Sequence, residues 1–179
     1  MSDVISIGVK KIYVSEIADW ANTVMPVSTS SDEVWKDLGD VYEDTATLED
    51  ADPEIVTHKS ETSSKKIVTS KAGDCTLTLS LMDPSLDQLQ RYFGGTITTG
   101  SGGKKSWTRP SNWTPKPFAL YIVPEDGDAV MNPCCGITPK FQISYTKNGI
   151  MLVPMTITLT GDTTFTEDYD PDHGPMYHA

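Results

Sequence analysis

The chain has 179 residues and carries 14 Lys and Arg against 25 Asp and Glu, a formal net charge of −11. That size buries about two thirds of the surface an unfolded chain exposes, and the 37% hydrophobic content, though low, is not that of a disordered chain. The composition excludes a membrane-crossing helix, which needs ~20 apolar residues in a row, a disulfide framework, since the three cysteines are odd in number, and ordinary nucleic-acid binding, since so acidic a surface repels phosphates.

The opening MSDVISIGVKK lacks the layout of a signal peptide, so synthesis in the cytoplasm is expected. A first strand is expected over 5–14. From Asp32 to Glu54 ten acids stand against one base, Lys36, with Trp35, Leu38, Val41, Tyr42 and Leu48 among them and Ile55 and Val56 just beyond. Acidic blocks are ordinarily solvated, and apolar residues set in one need something to bury them. The segment 32–54 is therefore read as a long acidic arm, and Trp35, Leu38, Val41, Tyr42, Leu48 and Ile55 as contacts to a neighbouring subunit.

Strands follow at 53–60 and 65–71. Cys75, Leu77, Leu79 and Leu81 alternate with Thr76, Thr78 and Ser80, the pattern of a strand with one wet face. A helix over about 84–93 is expected, with Asp83 as its cap, Pro84 at its first position, Leu86, Leu89 and Phe93 on one face and Gly94-Gly95 at its end. Thr96–Ser106 is of low complexity and reads as a flexible loop. A strand at 117–123 carries Leu120 to Val123. Strands 140–147 and 151–160 should pair as a hairpin through Lys147-Asn148-Gly149, since Asn-Gly tolerates a type I′ turn. Pro154 lacks a backbone donor and predicts an edge or a bulge. The stretch 162–179 is a second acidic region, and no internal repeat is visible. These elements predict a mainly β fold: an antiparallel β-sandwich or barrel carrying one flanking helix.

Motifs for chemistry are few. GSGGKKS at 100–106 departs from a phosphate loop at Thr98 and Lys105. Cys134 and Cys135 are adjacent, without the spacing of a zinc site, and read as buried or half-buried thiols. Asp168-x-Asp170-x-Asp172 opens like a calcium loop, but Pro171 intrudes and no bidentate Glu follows. His58 lacks a partner and reads as a surface residue. Asn112-Trp113-Thr114 matches a glycosylation acceptor that a cytoplasmic chain would not present to the enzyme. No catalytic residue, metal site or cofactor is assigned, and the chain is not read as an enzyme.

Three stretches carry a family likeness: Trp35-Lys36-Asp37-Leu38-Gly39-Asp40-Val41-Tyr42-Glu43-Asp44 with the acidic run to Pro53-Glu54 and the strand Ile55–Glu61; the passage from Leu77 through Asp83-Pro84 to Leu89, closed by Tyr92-Phe93-Gly94-Gly95; and the late hairpin at 140–160. Together they cover most of residues 5–161 and resemble the phage tail tube (major tail) proteins, to which type VI secretion tubes and other contractile-injection tubes are related. The resemblance implies one tail-tube-like domain over 1–179, homohexameric rings stacked into a hollow tube, and a long loop reaching a neighbouring subunit. It also implies a virion tail location, other tail proteins as partners, and DNA passing through the channel without specific binding. It does not say which residues line the channel. Two other readings remain: a monomeric β-sandwich module binding carbohydrate or protein through Trp107, Trp113 and Phe118, and a tail-completion or capsid-decorating protein. Against the former, Arg109-Pro110 and Pro115-Lys116-Pro117 look like loop scaffolding that has Trp107 and Trp113 packing its base.

Overall fold

The structure, a computed structural model, describes residues 7–16, 19–21, 23–26, 34–143, 145 and 147–167. The start of the first expected strand, Asp32 and Glu33, parts of the 140–147 strand, and the acidic stretch from Asp168 onward lie outside these.

Among the described residues thirteen strands and one α-helix follow in chain order: β1 Ile7–Glu16, β2 Lys36–Asp37, β3 Thr47–Asp50, β4 Glu54–Lys59, β5 Lys66–Lys71, β6 Cys75–Met82, α1 Leu86–Phe93, β7 Thr96–Thr99, β8 Lys105–Thr108, β9 Pro117–Asp126, β10 Ala129–Pro139, β11 Gln142–Ile143, β12 Met151–Leu159 and β13 Thr164–Thr166. The main sheet is antiparallel, in the order β2-β1-β9-β10-β12-β6-β3, with β11 added to β12 and β13 to β10. Its two sides are joined by one segment. Tyr13 pairs with Asp37 and Leu38 N donates to Ile12 O (2.8 Å). A few residues on, Met82 N donates to Asp40 O and Tyr42 N to Ser80 O, each at 2.8 Å, and Val41 bridges Leu81. The stretch 36–42 thus closes the sheet into a barrel. Gly39, with φ of 125°, lets the chain cross from one side to the other.

The alternating strands point Ile12, Val14, Leu77, Leu79, Leu81, Ile137, Val153, Met155 and Ile157 into one large core. A smaller core lies on the other face of β1, β9 and β10, where Tyr13, Ala119, Tyr121, Val123 and Met131 are covered by Trp35, with Met25 and Val34 beside it. β9 is therefore buried on both faces, which explains its unbroken apolar run.

Helix α1 is capped by Ser85, not Asp83. Ser85 Oγ accepts from Gln88 N, and the Gln88 side chain accepts from Ser85 N, a complete capping box. Asp83 instead takes a left-handed turn, φ 44°, before Pro84. Leu89, Tyr92 and Phe93 enter the large core, and Tyr92 Oη donates to Leu38 O (3.0 Å), tying the helix to the closing segment. Burial pushes the Tyr92 phenol up to about 12, with the Arg91 guanidinium pulling the other way. Between pH 10 and 12 the unfolded state releases this proton and the folded state keeps it, so its stabilising effect is full below pH 10 and is lost as pH rises through 12. Tyr92→Phe should cost about 1 kcal/mol at neutral pH. In urea unfolding followed from pH 9 to 12, the variant should show a shallower alkaline decline than the wild type.

Three expectations change. Pro154 is not on an edge: β12 lies between β10 and β6. Pro154 O accepts from Lys140 N (2.8 Å), but the proline cannot donate back, and the partner strand breaks there into β10 and β11. Of the expected 140–147 strand, the described residues place two in β11, pairing Gln142 with Leu152 and Ile143 with Met151. The Thr96–Ser106 loop contains a hairpin, β7 with β8, and GSGGKKS turns between these strands rather than leading into a helix.

Candidate inter-subunit surface

Among the described strands, β4 and β5 are exposed at every residue, and they continue a two-stranded ribbon that begins in the barrel wall. β3 pairs with β6 from Thr47↔Thr78 to Asp50↔Cys75, and β4 pairs with β5 from Glu54↔Lys71 to Lys59↔Lys66. Both pairings hold the same register, and Ala51 N donates to Asp74 O (3.0 Å) between them. They are one ribbon, interrupted where Pro53 removes a donor. Its lower half belongs to the barrel wall; its upper half, Glu54–Lys71, is exposed along its whole length.

The exposed half carries large aliphatic residues on both faces. Cross-strand partners share a face, so Ile55 and Val68 lie on one side and Val56 and Ile67 on the other. Ile55 is 65% exposed and Val68 62%. A two-stranded hairpin is marginal by itself in water, and among the described residues none buries either face of this one.

The six expected contact residues separate. Leu38 (0% exposed) and Trp35 are buried within the chain: Leu38 in the large core, and Trp35 in the small one, where its Nε1 donates to Pro26 O (3.2 Å). Val41 and Leu48 are half-buried against the large core. Tyr42 and Ile55 are exposed. From residue 36 to 50 the expected acidic arm is wall and seam of the barrel, and the element that leaves the barrel begins after Asp50. Val56, Ile67 and Val68 extend the exposed apolar set beyond the six residues assigned as contacts from the sequence.

Other groups are occupied within the chain. Trp107 Nε1 donates to Gly94 O (2.9 Å) and Trp113 Nε1 to Tyr92 O (2.8 Å), while Phe118 is buried. Phe93 stacks on Phe141 at 4.4 Å with Trp107 tilted against both. These aromatics pack the base of the loop, and Gly95, φ 92°, is held so closely against Thr108 O that a side chain there would collide. The cysteines are free: Cys134 and Cys135 are buried, and Cys75 is half-buried. Burial, with Asp50 beside it, pushes the Cys75 thiol up to about 11, far from a reactive thiolate at neutral pH. His58 is exposed on the ribbon. Among the described residues no cluster of His, Cys, Asp and Glu is arranged to hold a metal ion, and no helix is long and apolar enough to cross a membrane.

These features define a structural β-barrel whose distinguishing surface is a projecting ribbon. The chain matches the phage tail tube protein family over residues 2–169 and belongs to it, a family of structural proteins of the virion tail. Among solved structures it is similar to a chain in the tail of an empty gene transfer agent particle with C6 symmetry, at 15% identity over 78% of this chain and 92% of that one, TM-score 0.43. It is also similar to a chain of the native gene transfer agent virion, at 14% identity over 88% and 96%, TM-score 0.43. A third is a chain in the 6-fold symmetrised baseplate of the anti-feeding prophage, at 8% identity over 93% and 97%, TM-score 0.44. No curated protein matches.

Proposed function

We propose that this chain builds a tail tube by assembling into homohexameric rings that stack around a negatively charged channel for DNA passage, with no enzymatic role. The observation that carries this reading is the ribbon, whose two faces both expose aliphatic side chains. Neighbouring copies in a ring or stack would cover them, and Tyr42 and Ile55 are the sequence-assigned contacts left available for that role. The net charge of −11, repeated in every copy, suits a conduit. A negative wall repels phosphates and forms none of the counterion-releasing contacts that would hold DNA in place. The acidic stretches 32–54 and 162–179 are the main sources of that charge, and synthesis in the host cytoplasm precedes incorporation into the tail beside its other proteins.

The test is negative-stain electron microscopy of the purified chain across a concentration series, with and without tail-tube fragments as seeds. Hollow tubes or six-fold rings are the expected result. A chain that stays monomeric throughout and does not extend the seeds overturns the reading.

A further inference from the structure

We propose that the ribbon is a directional connector: the basic tip of one copy seats in the acid-rimmed apolar cleft at the base of the ribbon of a second copy. This rests on the self-assembly reading above and specifies its contact.

The tip is basic within an acidic chain. Over Glu54–Lys71 four lysines stand against two glutamates. Lys59 and Lys66 are direct cross-strand partners, and Lys65 precedes Lys66 at the turn. Like charges directly opposite each other destabilise a hairpin, and no acid among the described residues forms an ion pair with either lysine. On the same face, Val68 and Thr57 come next after the lysine pair, followed by Ile55. The tip therefore presents positive charge immediately beside aliphatic surface.

The base offers the complement. Between β3 and the start of β13 lies a cleft of about 250 Å³, lined by Leu48, Glu49, Asp50, Cys75, Thr163 and Phe165. Leu48, Cys75 and the 61% exposed Phe165 give it apolar surface, and the exposed carboxylates of Glu49 and Asp50 stand at its edge. A ribbon tip cannot reach the cleft at the base of its own ribbon. Asp50 and Lys59 are separated by strand running away from the barrel, about 30 Å at roughly 3.3 Å per residue. A tip seated in the cleft therefore belongs to another copy, joined tip to base. Such a contact is heterologous, so every copy keeps one free tip and one free cleft until a ring closes or a stack grows.

The test is a charge swap in the full-length chain. Variant one is Lys59→Glu with Lys66→Glu; variant two is Glu49→Lys with Asp50→Lys. Each alone should raise the concentration needed for assembly by more than about tenfold, because like charges now meet across the contact. An equimolar mixture should assemble within about threefold of the wild type, since each variant's tip then matches the other's base. Circular dichroism and thermal melting establish that both variants fold. Variants that assemble alone as readily as the wild type overturn this contact and leave the tube reading standing. Variants that fail alone and fail equally when mixed also overturn it. A wild-type chain that never assembles, alone or on seeds, overturns contact and tube together.

Discussion

Leu38→Ala should destabilise the unassembled subunit by about 3–5 kcal/mol, the cost of emptying a fully buried leucine site that cannot collapse. Leu38 has no exposed surface, and its backbone N donates to Ile12 O while its carbonyl accepts from Tyr92 Oη. Its side chain lies in the large core where the closing segment meets α1 and β1, so the loss falls on barrel closure and helix docking together. The measurement is urea unfolding at a concentration too low for assembly. Tyr42→Ala serves as control: its side chain is 40% exposed, and the cost should be about 1 kcal/mol or less. If Leu38 served a neighbouring subunit instead, the variant would assemble poorly yet unfold like the wild type.

Asn132→Ala should cost about 3–4 kcal/mol, read as a fall of roughly 10 °C in the melting temperature of a domain this size. Asn132 is fully buried. Its Nδ2 donates to Gly161 O (2.8 Å) and Thr163 Oγ1 (3.0 Å), and its Oδ1 accepts from Cys134 N (3.0 Å). Here β10 bends: its first residues pair with β13 and its last with β12, and the register with β9 shifts between Asn132 and Cys135. Thr160 N and Gly161 N both donate to Cys134 O, closing the junction from the other side. Alanine leaves Cys134 N without its acceptor and takes both donors from the 161–163 strand link, so buried polar groups go unpaired. Asn132→Asp should be worse: it keeps an acceptor for Cys134 N but supplies no amide donor and sets a buried carboxylate against Gly161 O and Thr163 Oγ1, neither of which is charged.

The antiparallel, one-helix character of the fold was legible because β6 and β12 each keep alternate residues out of the large core, and that alternation is visible in Cys75–Leu81 and Met151–Leu159. β10 was not legible. Its first seven residues are all buried, so the alternation disappears, and Pro133 and Pro139 argue against a strand. Pro133 is tolerated because it sits inside the register shift.

The contact surface was half legible. Trp35 and Leu38 looked like apolar residues lost in an acidic arm because the segment serves two different cores, the small one through Val34 and Trp35 and the large one from Leu38 onward, which breaks any simple period. The strands 53–60 and 65–71 were readable, yet Glu-Ile-Val-Thr-His-Lys and Lys-Ile-Val-Thr-Ser-Lys were not read as a pair that leaves the barrel with both faces exposed. The available signal was the absence of alternation together with lysines crowded at the turn.

The shared register of the two halves of the ribbon has a mechanical consequence. Slipping the projecting half by one residue would invert every side chain from Thr47 to Thr78, including those in the barrel wall, so the tip is indexed to the wall. If a neighbour grips the tip and pulls along the strands, both strands carry the load into the wall, where the hydrogen bonds between β6 and β12 lie perpendicular to the pull. They are then sheared together rather than peeled apart one at a time. The connector is strongest along its own axis.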